Sequence, residues 1–129
     1  MTELSTFISS GRKLLLYHGV ADPFFSSNDT ERYYNRLLAD NKNTEGASTQ
    51  FAKFFLIPGM THCGGGPALD NFDALGAVVD WVENGKVPEQ MDSTGASFPG
   101  RSRPVCAYPK YAQYKGAGNT EDGKNFECR

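Results

Sequence analysis

Two short apolar runs interrupt the otherwise mixed and polar first half of the chain. The first, KLLLY at residues 13–17, ends at a His-Gly pair, and the second, FAKFFLI at residues 51–57, is stopped by a Pro-Gly pair. Unbroken apolar runs bounded by turn residues are typical of strands that are buried on both faces of a parallel sheet. We therefore predict two parallel strands.

A helix is predicted between the two runs. Asn28 has a side chain that can cap a helix, and Glu31 three residues later completes a capping-box pattern. Tyr34 and Leu37 then belong to an apolar stripe at helical spacing. We expect this helix over residues 29–39.

A longer helix is predicted after the second run, over residues 68–84. Pro67 suits the first turn of a helix and Gly85 suits its end. The apolar residues between them recur at helical spacing and leave a narrow polar edge, so we expect this helix to be largely buried. These apolar residues include Leu69, Phe72, Leu75, Val79 and Val82.

The order strand, loop, helix, strand, loop, helix is typical of parallel α/β sheets. After Gly85 the chain is rich in Gly, Pro, Ser and Tyr and shows neither a helical nor a strand period. A length of 129 residues suits one domain. We therefore predict a single α/β domain over residues 1–129, with a βαβα core over 1–85 and an irregular C-terminal wrap over 86–129.

The charge pattern disfavours two classes of partner. The formal net charge is −2, the pI is about 5.6, and the 13 basic residues are scattered, so we predict no nucleic-acid and no membrane surface. No apolar run approaches the roughly 20 residues that span a bilayer. Residues 1–10 have neither the basic start nor the apolar core of a signal peptide. A small molecule or a protein is the expected partner.

The three cysteines make an odd count. Cys106 and Cys128 lie near the C-terminus and Cys63 stands alone, so one pair and one further thiol is the simplest interpretation. A disulfide between Cys106 and Cys128 would close a loop of about twenty residues and add roughly 3 kcal/mol to the stability. Such a bond persists in an oxidising compartment.

Asp22 and His62 each follow one of the two predicted strands. Ligands and catalytic groups gather at the carboxyl ends of the strands in open parallel sheets. An aspartate after one strand and a histidine after a later strand match the order of acid and base in α/β-hydrolases, where a serine precedes both. Each residue alone has a plainer interpretation, as a turn aspartate or a loop histidine. Their joint position makes a catalytic pair about as well supported as these plainer interpretations.

Other kinds of site have weaker signals. Gly64–Gly66 precede the second predicted helix, but neither a dinucleotide fingerprint nor a Walker lysine accompanies them. A nucleophilic pair of His62 and Cys63 is disfavoured because neighbouring side chains tend to point apart. A metal site is disfavoured because no ligand spacing organises the available donors, which are His18, Asp22, His62 and Cys63. We predict no cofactor and no metal, and expect His18 to make a structural hydrogen bond.

Four segments together resemble the C-terminal part of the tannase and feruloyl esterase family of α/β-hydrolases. They cover nearly the whole chain and read KLLLYHGVADPFFSSNDTERYY, FFLIPGMTHCGGG, DALGAVVDWVENGKVPEQM and SRPVCAYPKYAQYKGAGNTEDGKNFEC. The resemblance implies a partial α/β-hydrolase fold that holds the last two strand and helix units of the sheet, followed by a disulfide-closed C-terminal segment.

The same resemblance implies roles for individual residues. Asp22 matches the triad aspartate of the family and His62 the triad histidine. Cys63 matches a cysteine that forms a disulfide with another beside the nucleophilic serine, joining the two catalytic loops. Cys106 and Cys128 resemble the C-terminal disulfide pair of the family.

The nucleophilic serine of the family has no match in these 129 residues. In full-length members it lies well upstream of the aspartate, in a longer chain that also carries a lid domain. The sequence has no G-x-S-x-G, and Ser97 in GASFPG suits a turn. We therefore expect a fragment or module of a carboxylic ester hydrolase for gallate- or ferulate-type esters, inactive alone. The alternative is a non-catalytic, stand-alone remnant with a binding or assembly role.

Two parallel strands taken from a larger sheet leave an unpaired edge and an uncovered apolar helix face. We therefore expect a partner, either a serine-bearing N-terminal half or a second copy of the chain in a homodimer. A serine-bearing partner should also offer a cysteine to Cys63. The resemblance further implies an aromatic ester as substrate and a secreted or periplasmic location.

Overall fold

Strands and helices alternate along the first two thirds of the chain, and short strands follow. The structure, a computed structural model, describes residues 1–47 and 50–129, so Ser48 and Thr49 of the polar connector before the second apolar run lie outside the described residues. No helix within those ranges has the length and apolar character needed to cross a membrane. In chain order the elements are α1 (Ser5–Ser9), β1 (Leu14–Gly19), α2 (Ser27–Asn41), β2 (Ala52–Ile57), α3 (Ala74–Asn84), β3 (Gln90–Ser93), β4 (Arg103–Cys106), β5 (Ala112–Tyr114), a 3₁₀ turn (Gly123–Asn125) and β6 (Phe126–Cys128).

β1 and β2 form the predicted parallel pair. Their register runs from Leu14 opposite Ala52 to Gly19 opposite Ile57, so both strands end at the same edge of the sheet. Successive residues of a strand point to opposite faces. The side chains of β2 enter two different buried clusters in this way, which is why residues 54–57 are continuously apolar.

The two clusters cover opposite faces of the parallel pair. On one face α1 and α2 pack on the sheet, and the buried residues are Ile8, Tyr34, Leu37, Phe51, Ala52 and Phe54. On the other face β2 meets the loop before α3 and the C-terminal strands, and the buried residues are Phe55, Ile57, Met60, Ala68, Met91, Val105 and Ala107. The C-terminal segment therefore shares a core with β2. The single-domain organisation and its division at residue 85 stay predictions.

The structure corrects the start of α2. Ser26 is the N-cap residue, with φ −76° and ψ 125°, and its side chain makes no capping hydrogen bond. Asn28, the predicted cap, lies within the first turn. Tyr34 and Leu37 are buried as their spacing predicts. Packing of this apolar face, rather than a capping box, stabilises the helix.

The structure also corrects the start of α3, which begins at Ala74 rather than at residue 68. Asn71 instead forms an antiparallel bridge with Thr94, with N–H···O distances of 2.8 and 3.0 Å. Asp73 then caps the helix, because its side chain accepts a hydrogen bond of 2.7 Å from a backbone N–H of the first turn. The helix ends at Gly85 as predicted, with φ 69°.

α3 is less buried than its apolar pattern predicts. Trp81 is its one buried residue. Leu75, Val79 and Val82 are 75%, 42% and 57% exposed, and their spacing places them on one side of the helix, which we call the exposed stripe. Within the described residues the sheet that α3 covers ends at β1, and the exposed stripe has no covering element.

The C-terminal segment is not the irregular wrap that the sequence predicts. β3 pairs with β4, and β5 with β6, each antiparallel. Cys106 and Cys128 form the predicted disulfide, with their Cα atoms 5.6 Å apart. The Tyr108 N–H donates to the Phe54 carbonyl at 2.7 Å, which ties the segment to β2. Strands of three or four residues are too short to show a two-residue period, so the sequence does not predict them.

Candidate active site

The loops after β1 and β2 bring Asp22 and His62 together. Because the strands are parallel and in register, both loops leave the same edge of the sheet. Nδ1 of His62 lies 2.9 Å from Oδ2 of Asp22, across 40 residues of sequence. The two residues singled out from the sequence are therefore in hydrogen-bond contact.

A close backbone approach fixes the two loops against each other. The Val20 N–H donates to the Ile57 carbonyl and the Ala21 N–H to the Met60 carbonyl, both at 3.0 Å. A Cβ atom on Gly19 would lie 2.3 Å from the Met60 carbonyl oxygen. Glycine is therefore required for this approach, and the spacing of the two loops depends on it.

The loop that carries His62 folds back on itself. The Thr61 hydroxyl donates to the Gly64 carbonyl at 2.6 Å, and the Asp70 carboxylate accepts a hydrogen bond of 2.7 Å from a backbone N–H of the glycine run. Gly59 has φ 73°, and a Cβ atom there would lie 2.2 Å from a backbone carbonyl oxygen. The glycines around His62 thus serve the shape of this loop.

The contacts of Asp22 place the ring proton of His62. Oδ1 of Asp22 accepts hydrogen bonds from the backbone N–H groups of Phe24 at 2.8 Å and Phe25 at 3.2 Å. Oδ2 faces Nδ1 of His62 as an acceptor, so the hydrogen-bond network assigns the ring proton to Nδ1. This leaves Nε2 of His62 free to act as a base.

Asp22 is shielded from solvent, and its partner is not. The Asp22 side chain is 5% exposed and the His62 side chain 42%. Desolvation raises the pKa of Asp22, but hydrogen bonds from His62 and from two backbone N–H groups outweigh it and lower the pKa from 3.8 to about 2. Asp22 is therefore ionised at neutral pH and can stabilise a positive charge on the imidazole.

Two phenylalanines flank the imidazole. Phe24 lies edge-on to His62 and Phe25 is tilted against it, each with 5.5 Å between ring centroids. Both are exposed, at 73% and 64%. Their position directly after the Asp22–Pro23 turn is the one signal in the sequence that could have indicated them, and they are not among the candidates predicted above. They give the imidazole an apolar wall.

His62 opens onto a cleft of about 670 Å³. The end of β1, the first turns of α2 and the His62 loop form its walls. No sequence pattern predicts that α2 borders the site. Side chains on the walls include Tyr17, Ser26, Tyr33, Met60 and Cys63.

His18 also reaches the site. Its Nδ1 lies 2.7 Å from Thr30 Oγ1 and its Nε2 lies 3.2 Å from the Phe25 carbonyl oxygen, so the expected structural hydrogen bond is confirmed. Nε2 also lies 3.3 Å from Oδ2 of Asp22. No pattern in the sequence predicts this contact, because it depends on how the chain turns between β1 and α2.

The cysteines occupy two different regions. Cys63 is an exposed free thiol beside His62 and has a left-handed backbone with φ 62°. The bond between Cys106 and Cys128 belongs to the C-terminal strands. In residues 1–47 and 50–129 no group of three or more His, Cys, Asp or Glu side chains could hold a metal ion.

No serine in the described part of the chain is hydrogen-bonded to His62. Ser97 lies in a turn, as predicted, and donates to the Gly66 carbonyl at 2.8 Å. Ser26 lines the cleft but is the N-cap residue of α2, without the sharp strand-to-helix turn of a nucleophile elbow. The arrangement thus pairs an imidazole with a carboxylate, and no described serine is hydrogen-bonded to the imidazole.

Comparison with known proteins points to one family. A family model described as tannase and feruloyl esterase matches residues 1–129. The chain is 45% identical over 133 residues to mono(2-hydroxyethyl) terephthalate hydrolase of Piscinibacter sakaiensis, and 34% identical over 142 residues to feruloyl esterase B of Aspergillus niger. These matches cover 98% and 97% of this chain, but 21% and 27% of the relatives. The chain thus spans about a quarter of the length of these relatives.

Solved structures have the same fold. Feruloyl esterase B from Aspergillus oryzae superimposes with a TM-score of 0.78 at 31% identity, over 100% of this chain and 29% of that chain. A tannin acyl hydrolase from Aspergillus niger superimposes with a TM-score of 0.76 over 99% of this chain and 24% of that chain, and at 23% identity it supports the fold alone. The prediction of an α/β-hydrolase-like fold is confirmed at this level.

We expect Gly19→Ala to push the two loops apart. The added Cβ atom meets a backbone carbonyl at 2.3 Å, so the unfolding free energy of the variant should fall by about 1–3 kcal/mol. The NMR signal of the His62 Nδ1 proton should also disappear, because its contact with Asp22 is lost. Chemical denaturation and NMR measure the two effects. Gly123→Ala is the control, because its Cβ atom would meet atoms of Ser102 and Arg103 at 3.1–3.2 Å, outside the two loops, so the resonance should persist. Unchanged stability and an unchanged resonance in Gly19→Ala would contradict this account.

We also expect Asp22 to make the stability depend on acid. The pKa of its carboxyl is lower in the folded chain, at about 2, than its ordinary value of 3.8. Its contribution is therefore complete above pH 3.8 and is lost as the pH falls through about 2. Acid unfolding of the unmutated chain should show this component, and Asp22→Asn should lack it. Parallel curves for the two proteins would show that Asp22 does not titrate in this window.

Proposed function

This chain belongs to the tannase and feruloyl esterase family, and we propose that Asp22 and His62 are the carboxylate and general base of a serine carboxylic ester hydrolase. The observation that carries the proposal is the 2.9 Å contact between His62 Nδ1 and Asp22 Oδ2 at the carboxyl ends of two parallel strands. The proposed substrates are gallate- or ferulate-type esters, in keeping with the relatives named feruloyl esterase.

In the proposed reaction, Nε2 of His62 takes the proton of a serine hydroxyl while the serine oxygen attacks the ester carbonyl. The bond to the alcohol oxygen then breaks, and the protonated ring gives its proton to the leaving alcohol. A water molecule repeats these steps on the acyl-enzyme and releases the acid. Asp22, which its low pKa keeps ionised, stabilises the imidazolium during both steps.

We propose that the serine comes from another segment, in a longer chain or in a partner chain. Two observations support this: no described serine contacts His62, and the relatives are about four times as long as the matched region. In such an assembly β1 and β2 are the last strands of a larger α/β-hydrolase sheet. Cys63, exposed beside His62, forms a disulfide with a cysteine next to the serine.

The exposed stripe of α3 and the outer edge of β1 are the proposed contact surface for that segment. Leu75, Val79 and Val82 on the stripe and Tyr17 on β1 leave large apolar side chains in solvent. Apolar groups exposed together next to an unpaired strand edge favour burial against another chain segment. In the absence of the serine-bearing segment, a second copy of the chain covers this surface in a homodimer.

A non-catalytic remnant remains the alternative class of function. No contact within the described residues favours a separate binding or assembly role. The aligned carboxylate and imidazole beside an open cleft favour hydrolysis. Ester hydrolysis is therefore the one function that we propose.

We predict that residues 1–129 support hydrolysis when they replace the matched segment of mono(2-hydroxyethyl) terephthalate hydrolase, the 45% identical relative. Turnover of mono(2-hydroxyethyl) terephthalate and of methyl ferulate measures the result. Asp22→Asn should lower kcat by roughly 10⁴-fold, because the base loses its tautomer. His62→Ala should lower kcat by roughly 10⁶-fold, because the serine loses its base. Residues 1–129 alone should show no turnover above their own His62→Ala variant.

Asp80→Asn is the control for this experiment. It removes a carboxylate that pairs with Lys86 at 2.9 Å and does not line the cleft, so turnover should be unchanged. Equal turnover in the His62→Ala chimera would contradict the proposed role of His62. Turnover by the chain alone that Ser26→Ala abolishes would identify Ser26 as the nucleophile and would refute the need for another segment.

We further predict that the purified chain is a homodimer through the exposed stripe. Size-exclusion chromatography with light scattering should report a dimer at high concentration, and Val79→Lys should convert it to a monomer because it places a charge in the contact. Leu38→Lys, at an exposed leucine of α2, is the matched control and should stay dimeric. A monomeric unmutated chain at high concentration would disprove the prediction.

A further inference from the structure

We propose that His18 is a positioning residue of this site, which holds the turn from Asp22 to Phe25 and thereby holds Asp22 against His62. The inference rests on the proposed pair of Asp22 and His62. It adds a second histidine to that pair and connects the pair to α2.

The hydrogen-bond partners of His18 define where its proton lies. Nε2 lies 3.2 Å from the Phe25 carbonyl oxygen and 3.3 Å from Oδ2 of the ionised Asp22. A carbonyl and a carboxylate can only accept. Nε2 of His18 must therefore carry a proton, which it donates toward the turn.

Thr30 on α2 is the partner of the nitrogen on the other side of the ring. Nδ1 of His18 lies 2.7 Å from the Thr30 hydroxyl oxygen. With the proton on Nε2, a neutral ring presents a lone pair at Nδ1, so the Thr30 hydroxyl is the donor. The hydroxyl of Thr30 thus satisfies Nδ1 and anchors the ring to α2.

The turn is held at both ends by these contacts. Its own backbone closes on Oδ1 of Asp22, through the N–H groups of Phe24 and Phe25. His18 holds the carbonyl of Phe25 and faces the other carboxylate oxygen, Oδ2, which also contacts His62. A rotation of the Asp22 carboxylate would break contacts at both oxygens.

Burial makes the contact between the His18 and Asp22 side chains hard for water to replace. The side chains of His18 and Asp22 are 13% and 5% exposed. A buried acceptor that loses its donor is not readily resatisfied, so the surrounding turn must rearrange instead. Loss of His18 should therefore move Asp22 and release the His62 tautomer.

A purely structural histidine would behave differently. It would change the stability of the chain but leave the proton of His62 on Nδ1. Measuring the position of that proton therefore distinguishes a positioning role of His18 from a purely structural one. The proton position can be read from imidazole ¹⁵N and ¹H NMR spectra of the chain itself, without a nucleophile or a substrate.

The experiment compares two pairs of variants with the unmutated chain at mildly alkaline pH. His18→Phe keeps a ring but removes both nitrogens, whereas His18→Gln restores an N–H donor that can reach the Phe25 carbonyl. Thr30→Val removes the hydroxyl and keeps the shape, whereas Thr30→Ser keeps the hydroxyl. Thermal unfolding of each variant is recorded alongside the spectra.

In the unmutated chain we expect the proton of His62 on Nδ1 and that of His18 on Nε2. In His18→Phe, His62 should become a mixture of tautomers, and its Nδ1 proton should exchange with water several-fold faster. Thr30→Val should show the same change to a smaller extent. His18→Gln and Thr30→Ser should resemble the unmutated chain.

Two results would overturn the proposal. If His18→Phe and Thr30→Val lower the unfolding temperature but leave His62 wholly in the Nδ1–H form, His18 has a structural role only, and the proposed function stands. If His62 is a mixture of tautomers in the unmutated chain, the pair of Asp22 and His62 itself fails, and both proposals fall. If His18→Phe does not fold, the comparison of Thr30→Val with Thr30→Ser decides.

Discussion

The backbone contact between the loops after β1 and β2 is the constraint on which the site depends. The two strands are parallel and in register, so both loops leave one edge of the sheet, and Gly19 lets the loops approach without a side chain between them. Main-chain geometry therefore places Asp22 and His62 before their side chains interact. The pair stays aligned although no described serine contacts the imidazole.

The electrostatics of the site follow from the different solvent exposure of Asp22 and His62. Asp22 is shielded and would be costly to ionise, but backbone N–H groups and the imidazole of His62 stabilise its charge. His62 remains half-exposed between Phe24 and Phe25 and faces the cleft. The buried carboxylate can thus orient an imidazole that stays accessible from the cleft.

The two outer edges of the parallel pair differ in whether another segment covers them. The outer edge of β2 receives the C-terminal segment, through the backbone contact of Tyr108 with Phe54, and the disulfide of Cys106 and Cys128 joins the strands of that segment. The outer edge of β1 has no partner strand within the described residues, and the exposed stripe of α3 is uncovered. Within the described residues, backbone contacts therefore cover the outer edge of β2 but not that of β1.

The sequence by itself determined the two parallel strands, the helix α2, the family, and the two loops that carry Asp22 and His62. Long apolar runs and helical spacing are local signals, so they can be recognised without knowledge of the fold. Only the tertiary structure decided the late start of α3, where Asn71 pairs with Thr94 instead of entering the helix. It also decided that the apolar stripe of α3 is exposed and that His18 contacts the Asp22 turn. These features depend on which distant segments meet, and pairing between distant segments leaves no periodic signal in the residues that take part.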